Sequence, residues 1–570
     1  MTWTIVFVGI VVVATFTIGL LGVRIARTTS DFFVATRAVG SIWNASAISG
    51  EYLSAASFLG IAGLVMKFGA QAMWFPLGYA AGYVTLLLFV AAPLRRFGAY
   101  TIPDFAEGRF ASRQLRHIAA VMVLVIGWFY LVPQMKGAGV TLELLAGVPY
   151  WVGVVTVGVL VIAAVAFGGM KGITYVQAFH FWTKLVAISF PALVLLIVLG
   201  WSDADDNTPF AEGLPVFPES TYVTFDRDTR IEVPELIVVE VDGDLTSWPE
   251  GEIEVPAGTE VGFSEGDVVP VAASIGARDG TAWTVPFPEG ERYGLLGAVS
   301  LLIATVLGTM GLPHILVRFY TNRDAPSARR TAVVILAFVG VFYLFPWIFG
   351  VLGRVWVPEL YVTGDTDTVV LVLPQLVDGT LGSFITALVA AGAFSAFIST
   401  SSGLLISVAG ALSHDLYANT IRPNASASRR LWYFRFGAIG GGLVAIALGL
   451  MARPFDINIL VGWAFAIAAS AFCPLLLLGI WWRRLAARGA ALGMLVGGVA
   501  ATAAVLTTML ADVDGLAGAL LAQPAVVTVP LAFVVMILFS LRARPPRHAD
   551  RLLLQMHLPE RAAERLRMEM

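Results

Sequence analysis

Hydrophobic runs of about twenty residues, the length an α-helix needs to cross the ~30 Å hydrocarbon core of a bilayer, recur along most of this chain. Thirteen spans are predicted, over residues 3–24, 41–66, 71–94, 117–144, 149–169, 173–200, 293–318, 331–353, 381–413, 432–452, 457–481, 488–511 and 525–541. The first is too long for a secretory signal and lacks a charged start and a cleavage site, so it is read as a retained span. Only 13% of the 570 residues are charged, about half the ~25% of a soluble domain. The pattern predicts an all-α integral membrane protein with about 13 transmembrane helices and the lipid bilayer as its surroundings, and no nucleic-acid partner.

Basic residues alternate along the loops. Arg24, Arg27 and Arg37 follow the first span; Arg95, Arg96, Arg109, Arg113 and Arg116 the third; Lys171 the fifth; Arg318, Arg323, Arg329 and Arg330 the seventh. Arg422, Arg429 and Arg430 follow the ninth, Arg483, Arg484 and Arg488 the eleventh, and Arg542, Arg544 and Arg547 the thirteenth. The intervening short loops offer only Lys67, Arg354 and Arg453. Positive charge stays on the cytoplasmic side, so the N-terminus is expected outside and the C-terminus inside. Lysine occurs four times against 32 arginines, which with the Ala/Gly/Val richness suggests a GC-rich bacterial genome; the expected location is the cell inner (plasma) membrane.

Residues 201–292 interrupt the pattern. They hold 21 of the 39 acidic residues and four of the 36 basic ones. Alternating runs ("TYVTF", "IEVPELIVVEV", "EIEVPAGTEVGF", "AWTVPFP") broken by Gly, Pro and Asp predict a small β-rich domain on the extracytoplasmic side. A solvated insertion is the favoured reading over a cation-gathering entrance or a docking surface. The tail "RLLLQMHLPERAAERLRMEM" reads as a short amphipathic helix at the cytoplasmic membrane surface or against the protein.

Candidate chemistry is sparse. The one cysteine, Cys473, sits in an apolar run and reads as a small buried hydrophobe. No HExxH motif occurs and the histidines number only six, which speaks against an enzyme. The polar features instead lie inside three spans. The second carries "ISGEYLSAASFLG", with Ser49-Gly50 and an embedded Glu51 that must be paired, hydrated or protonated. The seventh carries "VLGTMGLPHILVRFYT", interrupted by Gly308, Gly311 and Pro313. Two interrupted helices five spans apart point to an inverted-repeat transporter with a midplane site, spans 2–6 and 7–11 being the repeats. The ninth places Ser399, Thr400, Ser401 and Ser402 in a row, and hydroxyls with the freed carbonyls of a broken helix suit a hard cation such as Na+.

The segments "FFVATR", "SAASFLG", "GGMKGITYVQ", "GLPHILVRF" and "ISTSSGLLISVAGALSHDLY", in this order, resemble the sodium:solute symporter family with its LeuT-type inverted five-helix repeat. The resemblance covers nearly everything but 201–292. It implies six parts: 1–40, an extra N-terminal span and cytoplasmic loop; 41–200, the first repeat; 201–292, the insertion; 293–481, the second repeat; 482–541, two further spans; and 542–570, a cytoplasmic tail. It also implies a coupling ion, Na+, held by the carbonyls of Gly50, Leu53 and Ala396 and the hydroxyls of Ser399 and Thr400, with no other cofactor.

"GEYLSAASFLGIAGL" and "GLPHILVRFYT" look most like the cation/acetate branch, which implies Na+-coupled symport of a small monocarboxylate by alternating access. Gln177 stands where sugar and proline members have an acid, and Lys136 where the acetate permeases have an apolar residue. Substrate contacts are expected from Glu51, Tyr52, Ser57, Lys136 and His314. Lys136, which otherwise snorkels or pairs with Glu51, is the best embedded cation for a carboxylate; His180 and Lys184 are weaker candidates. Alternatives are H+ in place of Na+, an amino acid, sugar or other organic anion as solute, and a transporter-like sensor. Whether a small membrane subunit is needed is open at this stage.

Overall fold

The computed structural model describes residues 2–25, 40–99, 101–168, 170–200, 214–273, 280–287, 292–319, 322, 324–422, 426–511, 513–543, 546 and 548–559. The expected landmark "FFVATR", the loop arginines 27 and 37 and the end of the tail lie outside the described residues. Eleven described helices are long and apolar enough to cross a membrane, twelve if the bent pair Gly515–Ala522 and Ala525–Leu541 counts as one. The chain is a multi-pass membrane protein.

The principal helices are α1 (Thr2–Ile25), α2 (Ser41–Tyr52), α3 (Ile61–Phe68, entered through a π turn over Ala56–Gly60), α4 (Trp74–Phe89), α5 (Arg113–Ala146), α6 (Tyr150–Phe167) and α7 (Met170–Val198). After the insertion come α8 (Gly294–Thr309), α9 (Pro313–Phe319), α10 (Ala325–Phe342), α11 (Leu344–Trp356), α12 (Gly379–Gly410), α13 (Ala427–Leu450), α14 (Ile457–Trp481), α15 (Ala487–Leu510), α16 (Ala525–Leu541) and α17 (Ala549–His557).

The difference between thirteen predicted spans and eleven or twelve long helices arises mainly at the second. With 12 residues, α2 reaches about 18 Å and cannot cross alone. Its continuation runs with α4 into one helical stretch, Ala56–Phe89. Within that stretch Gly69 caps α3 at φ +53°, a conformation open to glycine and costly for any residue with a Cβ. A Cβ there would also lie 1.9 Å from the Trp283 carbonyl.

The helices that carry the site pack tightly. Helix α7 lies against both α2 and α12, and α8 against α4 and α14. Small residues permit the closest approaches: a Cβ on Gly308 would sit 2.5 Å from the Phe465 carbonyl and one on Gly311 2.6 Å from that of Ala468. In lipid, helices associate through such packing and through hydrogen bonds, because apolar burial alone gives no preference for a neighbour over a lipid tail.

The insertion forms two antiparallel sheets. One has β1 (Thr221–Thr224), β6 (Glu260–Phe263), β3 (Ile237–Val241) and β4 (Asp244–Trp248) in that spatial order; the other has β5 (Gly251–Val255), β2 (Thr229–Val233) and β7 (Val271–Ala272). Phe217 stacks on Phe263 at 4.7 Å inside it. The strand expected over "AWTVPFP" is instead a helical turn, Gly280–Thr284. Its Trp283 is buried, donates from Nε1 to the Met66 carbonyl at 2.9 Å and lies under the Arg354 guanidinium; docking onto the helices outweighs the local alternation. The C-terminal amphipathic pattern forms α17, which rests on the protein: Gln555 Nε2 donates to the Arg96 carbonyl at 3.1 Å.

Several arginines assigned to loops by their spacing are interior. Arg318 is 1% exposed and Arg354 5%. Arg95 donates from Nε to the Asn322 carbonyl at 2.6 Å.

Candidate functional site

The break in the second span is built by its own sequence. Leu53 still donates to the Ser49 carbonyl at 2.9 Å but leaves the helix at φ −72°, ψ 88°. Beyond it the Ala55 N–H donates to Gln134 Oε1 of α5 at 2.9 Å, so a side chain replaces the lost helical acceptor. The carbonyls of Gly50 and Leu53 are left facing the protein interior.

Lys184, fully buried on α7, answers them. Its Nζ donates to the Gly50 carbonyl and the Leu53 carbonyl, each at 2.5 Å, and to Ser399 Oγ on α12 at 3.0 Å. Ser399 Oγ also donates to the Gly50 carbonyl at 2.7 Å and lies 3.3 Å from that of Ala396. Three of the five expected Na+ ligands, Gly50, Leu53 and Ser399, thus converge on one point. Ala396 stands one bond away, and Thr400 Oγ1 is engaged with the Glu51 carbonyl at 2.6 Å. The point on which these oxygens converge is filled by Lys184 Nζ, so the residues as they stand do not fit a sodium ion there.

Next to it Glu51 is fully buried and paired with Arg318 of α9, Nε to Oε2 at 2.9 Å. Arg318 Nη1 donates to Thr174 Oγ1 at 2.7 Å, and its Nη2 to Gln177 Oε1. Gln177 Nε2 continues to the Ser399 carbonyl at 3.1 Å. Three helices, α2, α7 and α9, are tied by charge-assisted bonds, which are shorter and stronger than neutral ones, and the neutral Gln177 bond adds α12. Sequence reasoning missed Arg318, Gln134 and the place of Lys184; a polar residue within an apolar run was the available signal for the last two.

Lys136 does not pair with Glu51. Its Nζ donates to the Phe455 carbonyl at 2.5 Å and lies 3.5 Å from Asp367, whose carboxylate accepts from the Ile457 N–H. Lys67 and Asp456 pair at 3.0 Å. A carboxylate neighbour supplied by the fold already answers the Lys136 charge, which weakens its expected role as the cation for a solute.

The other expected substrate residues meet in an aromatic cluster between the two helix breaks. Tyr52 lies edge-on to Tyr83 at 4.8 Å and Tyr79 at 5.7 Å, and its hydroxyl is 3.2 Å from Thr309 Oγ1. Ser57 Oγ bonds Tyr343 OH at 2.8 Å. His314 stands edge-on to Tyr130 at 5.3 Å, and Phe465 touches both Tyr52 and Tyr130. The hydroxyls of Tyr79 and Tyr83 and both ring nitrogens of His314 are buried without a hydrogen-bond partner among the described residues. Buried polar atoms are nearly always bonded, and this cluster holds four that are not.

A further polar group, at the end of α12, is closed on itself. Asp104, His414 and Asp415 bring ligand atoms within 4.8 Å of one another. The Arg116 guanidinium lies among them, 2.7 Å from Asp104 and 2.8 Å from Asp415. Burial pushes the Asp104 carboxyl up, but His414 and Arg116 more than offset it and hold it below the ordinary carboxylate range. His180 is likewise engaged, with Thr15 Oγ1 at 3.0 Å.

The profile of the sodium:solute symporter family matches residues 32–207 and 290–497, leaving out the β-rich insertion. A Bacillus subtilis (strain 168) protein described as the uncharacterized symporter YwcA is 31% identical over 518 residues, 89% of this chain and 88% of that protein. Among solved structures, a Na+-coupled sialic acid symporter in a substrate-bound, outward-open state superposes with a TM-score of 0.67 at 14% identity, over 96% of this chain and 98% of that one. MHP1, a nucleobase-cation-symport-1 family transporter in a closed conformation with bromovinylhydantoin bound, does so with a TM-score of 0.52 at 14% identity, over 93% and 100%. At this identity both are likenesses of fold, and the fold is the LeuT-type inverted repeat.

Proposed function

The chain belongs to the sodium:solute symporter family, a family of transporters for which Na+ is the implied coupling ion, and from that premise we propose that it is a secondary active symporter of a small monocarboxylate such as acetate. The observation that carries a solute site is the aromatic cluster with its four orphaned polar atoms, lying between the breaks of the second and seventh spans. Helix breaks present free N–H groups and partial positive charge to an anion. Lys184 and Arg318 against Glu51 leave an excess of one formal positive charge at the broken second span, which favours an anionic solute. The acetate-branch motifs and the uncharged Gln177 support the same choice.

In this reading Tyr52, Ser57 and His314 contact the solute, Glu51 positions Arg318, and Gly50, Leu53, Ala396, Ser399 and Thr400 form the cation site. The plasma membrane, an outside N-terminus and an external insertion complete the proposal.

Counterflow tests it: proteoliposomes loaded with unlabelled pyruvate are presented with labelled pyruvate in NaCl, which needs no imposed gradient. Label is expected to overshoot protein-free liposomes, and acetate and propionate to compete where sugars and amino acids do not. Competition by a sugar or amino acid, with none from carboxylates, would discard the monocarboxylate. A second expectation concerns His314→Phe, which keeps the ring and removes two unpaired nitrogens. The concentration for half-maximal uptake should rise about tenfold, the loss of one good hydrogen bond, while thermal stability in detergent stays level or rises. A fall in stability with unchanged uptake would make His314 a packing residue.

A further inference from the structure

The family implies Na+ at the helix break, and the residues of this chain put something else there. An ammonium has three N–H donors, and Lys184 Nζ has an acceptor for each: the Gly50 carbonyl, the Leu53 carbonyl and Ser399 Oγ. These are the same oxygens, on the same two helices, that the family resemblance assigns to the ion. Lys184 is fully buried, as are Gly50, Leu53 and Ser399. Its Nζ is turned to three interior acceptors, so snorkelling, the ordinary fate of a membrane lysine, does not describe it.

We propose that the Lys184 ammonium is the resident cation of the helix-break site, standing in place of Na+, so that this site works without sodium. The argument is one of space and charge. A second cation held by the same oxygens would lie in contact with the ammonium, and like charges at such a separation in a buried site repel strongly. The geometric consequence is a different kind of bridge. A free ion joins α2 to α12 only while bound, whereas Lys184 joins them through a covalent tether from α7. Sodium then has no hold on whether those helices are together. The inference rests on the reading of Gly50, Leu53, Ala396, Ser399 and Thr400 as the family's cation site, and departs from that reading in the identity of the cation.

The test is sodium binding to the purified full-length protein, read with 22Na+ by scintillation proximity, where no solute is needed. The decisive quantity is the part of the binding that depends on Ser399. Wild type and Ser399→Ala are expected to bind Na+ equally, because that component is absent. Lys184→Ala, or Lys184→Gln if the alanine variant does not give a monodisperse protein, is expected to acquire saturable Na+ binding. Adding Ser399→Ala to it should weaken the acquired binding about tenfold, the worth of one lost ligand to a charged group.

Saturable binding by wild type that Ser399→Ala removes overturns the proposal, and this comparison needs no lysine variant. A folded Lys184 variant that gains no Ser399-dependent binding overturns it too, since a vacated site of this geometry should take the ion. Replacing Na+ by K+ on both sides of the membrane should leave wild-type carboxylate counterflow within about twofold, close to thermal energy in free-energy terms. If no carboxylate is transported at all, the proposed solute fails, and the binding comparison still decides the cation.

Discussion

Arg318→Met is expected to abolish transport and to lower stability by about 3–5 kcal/mol, the usual cost of removing one partner from a buried ion pair. The substitution leaves the fully buried Glu51 carboxylate without its 2.9 Å partner and strips acceptors Thr174 and Gln177 of their donor. Much of that cost is the stranded charge rather than the pair itself. Glu51→Gln combined with Arg318→Met should therefore recover most of the stability while remaining inactive, because the link from α9 to α2 and α7 is still missing. Thermal unfolding in detergent of the two single variants and the double variant gives the coupling directly. Additive single effects would show that the two side chains do not act as a pair.

Gly50→Ala is the second large effect. A Cβ at Gly50 would lie 2.0 Å from the Gln177 carbonyl oxygen, a backbone atom. Gln177 is in turn held by Arg318 and by the Ser399 carbonyl, so α7 has no easy retreat. Helix α2 must move off α7, which pulls the Gly50 carbonyl from Lys184 and Ser399. A loss of transport and a destabilisation of about 1–3 kcal/mol, typical of overpacking, are expected. Gly297→Ala on α8 is the control: its Cβ meets nothing within 4 Å, and helix propensity alone favours alanine by about 1 kcal/mol. Equal transport by both variants would mean that close contact between α2 and α7 is not needed.

The membrane class, the order of the spans and the two interrupted helices were legible in the sequence. Each is written locally: in run length, in Gly50 beside Ser49, in Gly308, Gly311 and Pro313. The convergence of the Gly50 and Leu53 carbonyls with Ser399 was legible through resemblance, since motifs keep their relation to one another across a family. Arg318 was misread because spacing places it at a helix end, where arginine normally marks the cytoplasm; its burial depends on Glu51, 267 positions away in the chain. Residues 282–284 were misread because alternation carries no information about what Trp283 docks against.

What the sequence by itself determined is that this chain lives in a bilayer as an inverted-repeat transporter, because hydrophobic length and backbone breaks are properties of contiguous residues. What only the tertiary structure decided is which charge meets which. Lys184 and Lys136 are both lone lysines in apolar helices, alike in sequence. One lies at the carbonyls of a broken helix and the other beside Asp367. Electrostatic partners in a membrane interior are set by helix packing, and packing brings together residues that no local pattern connects.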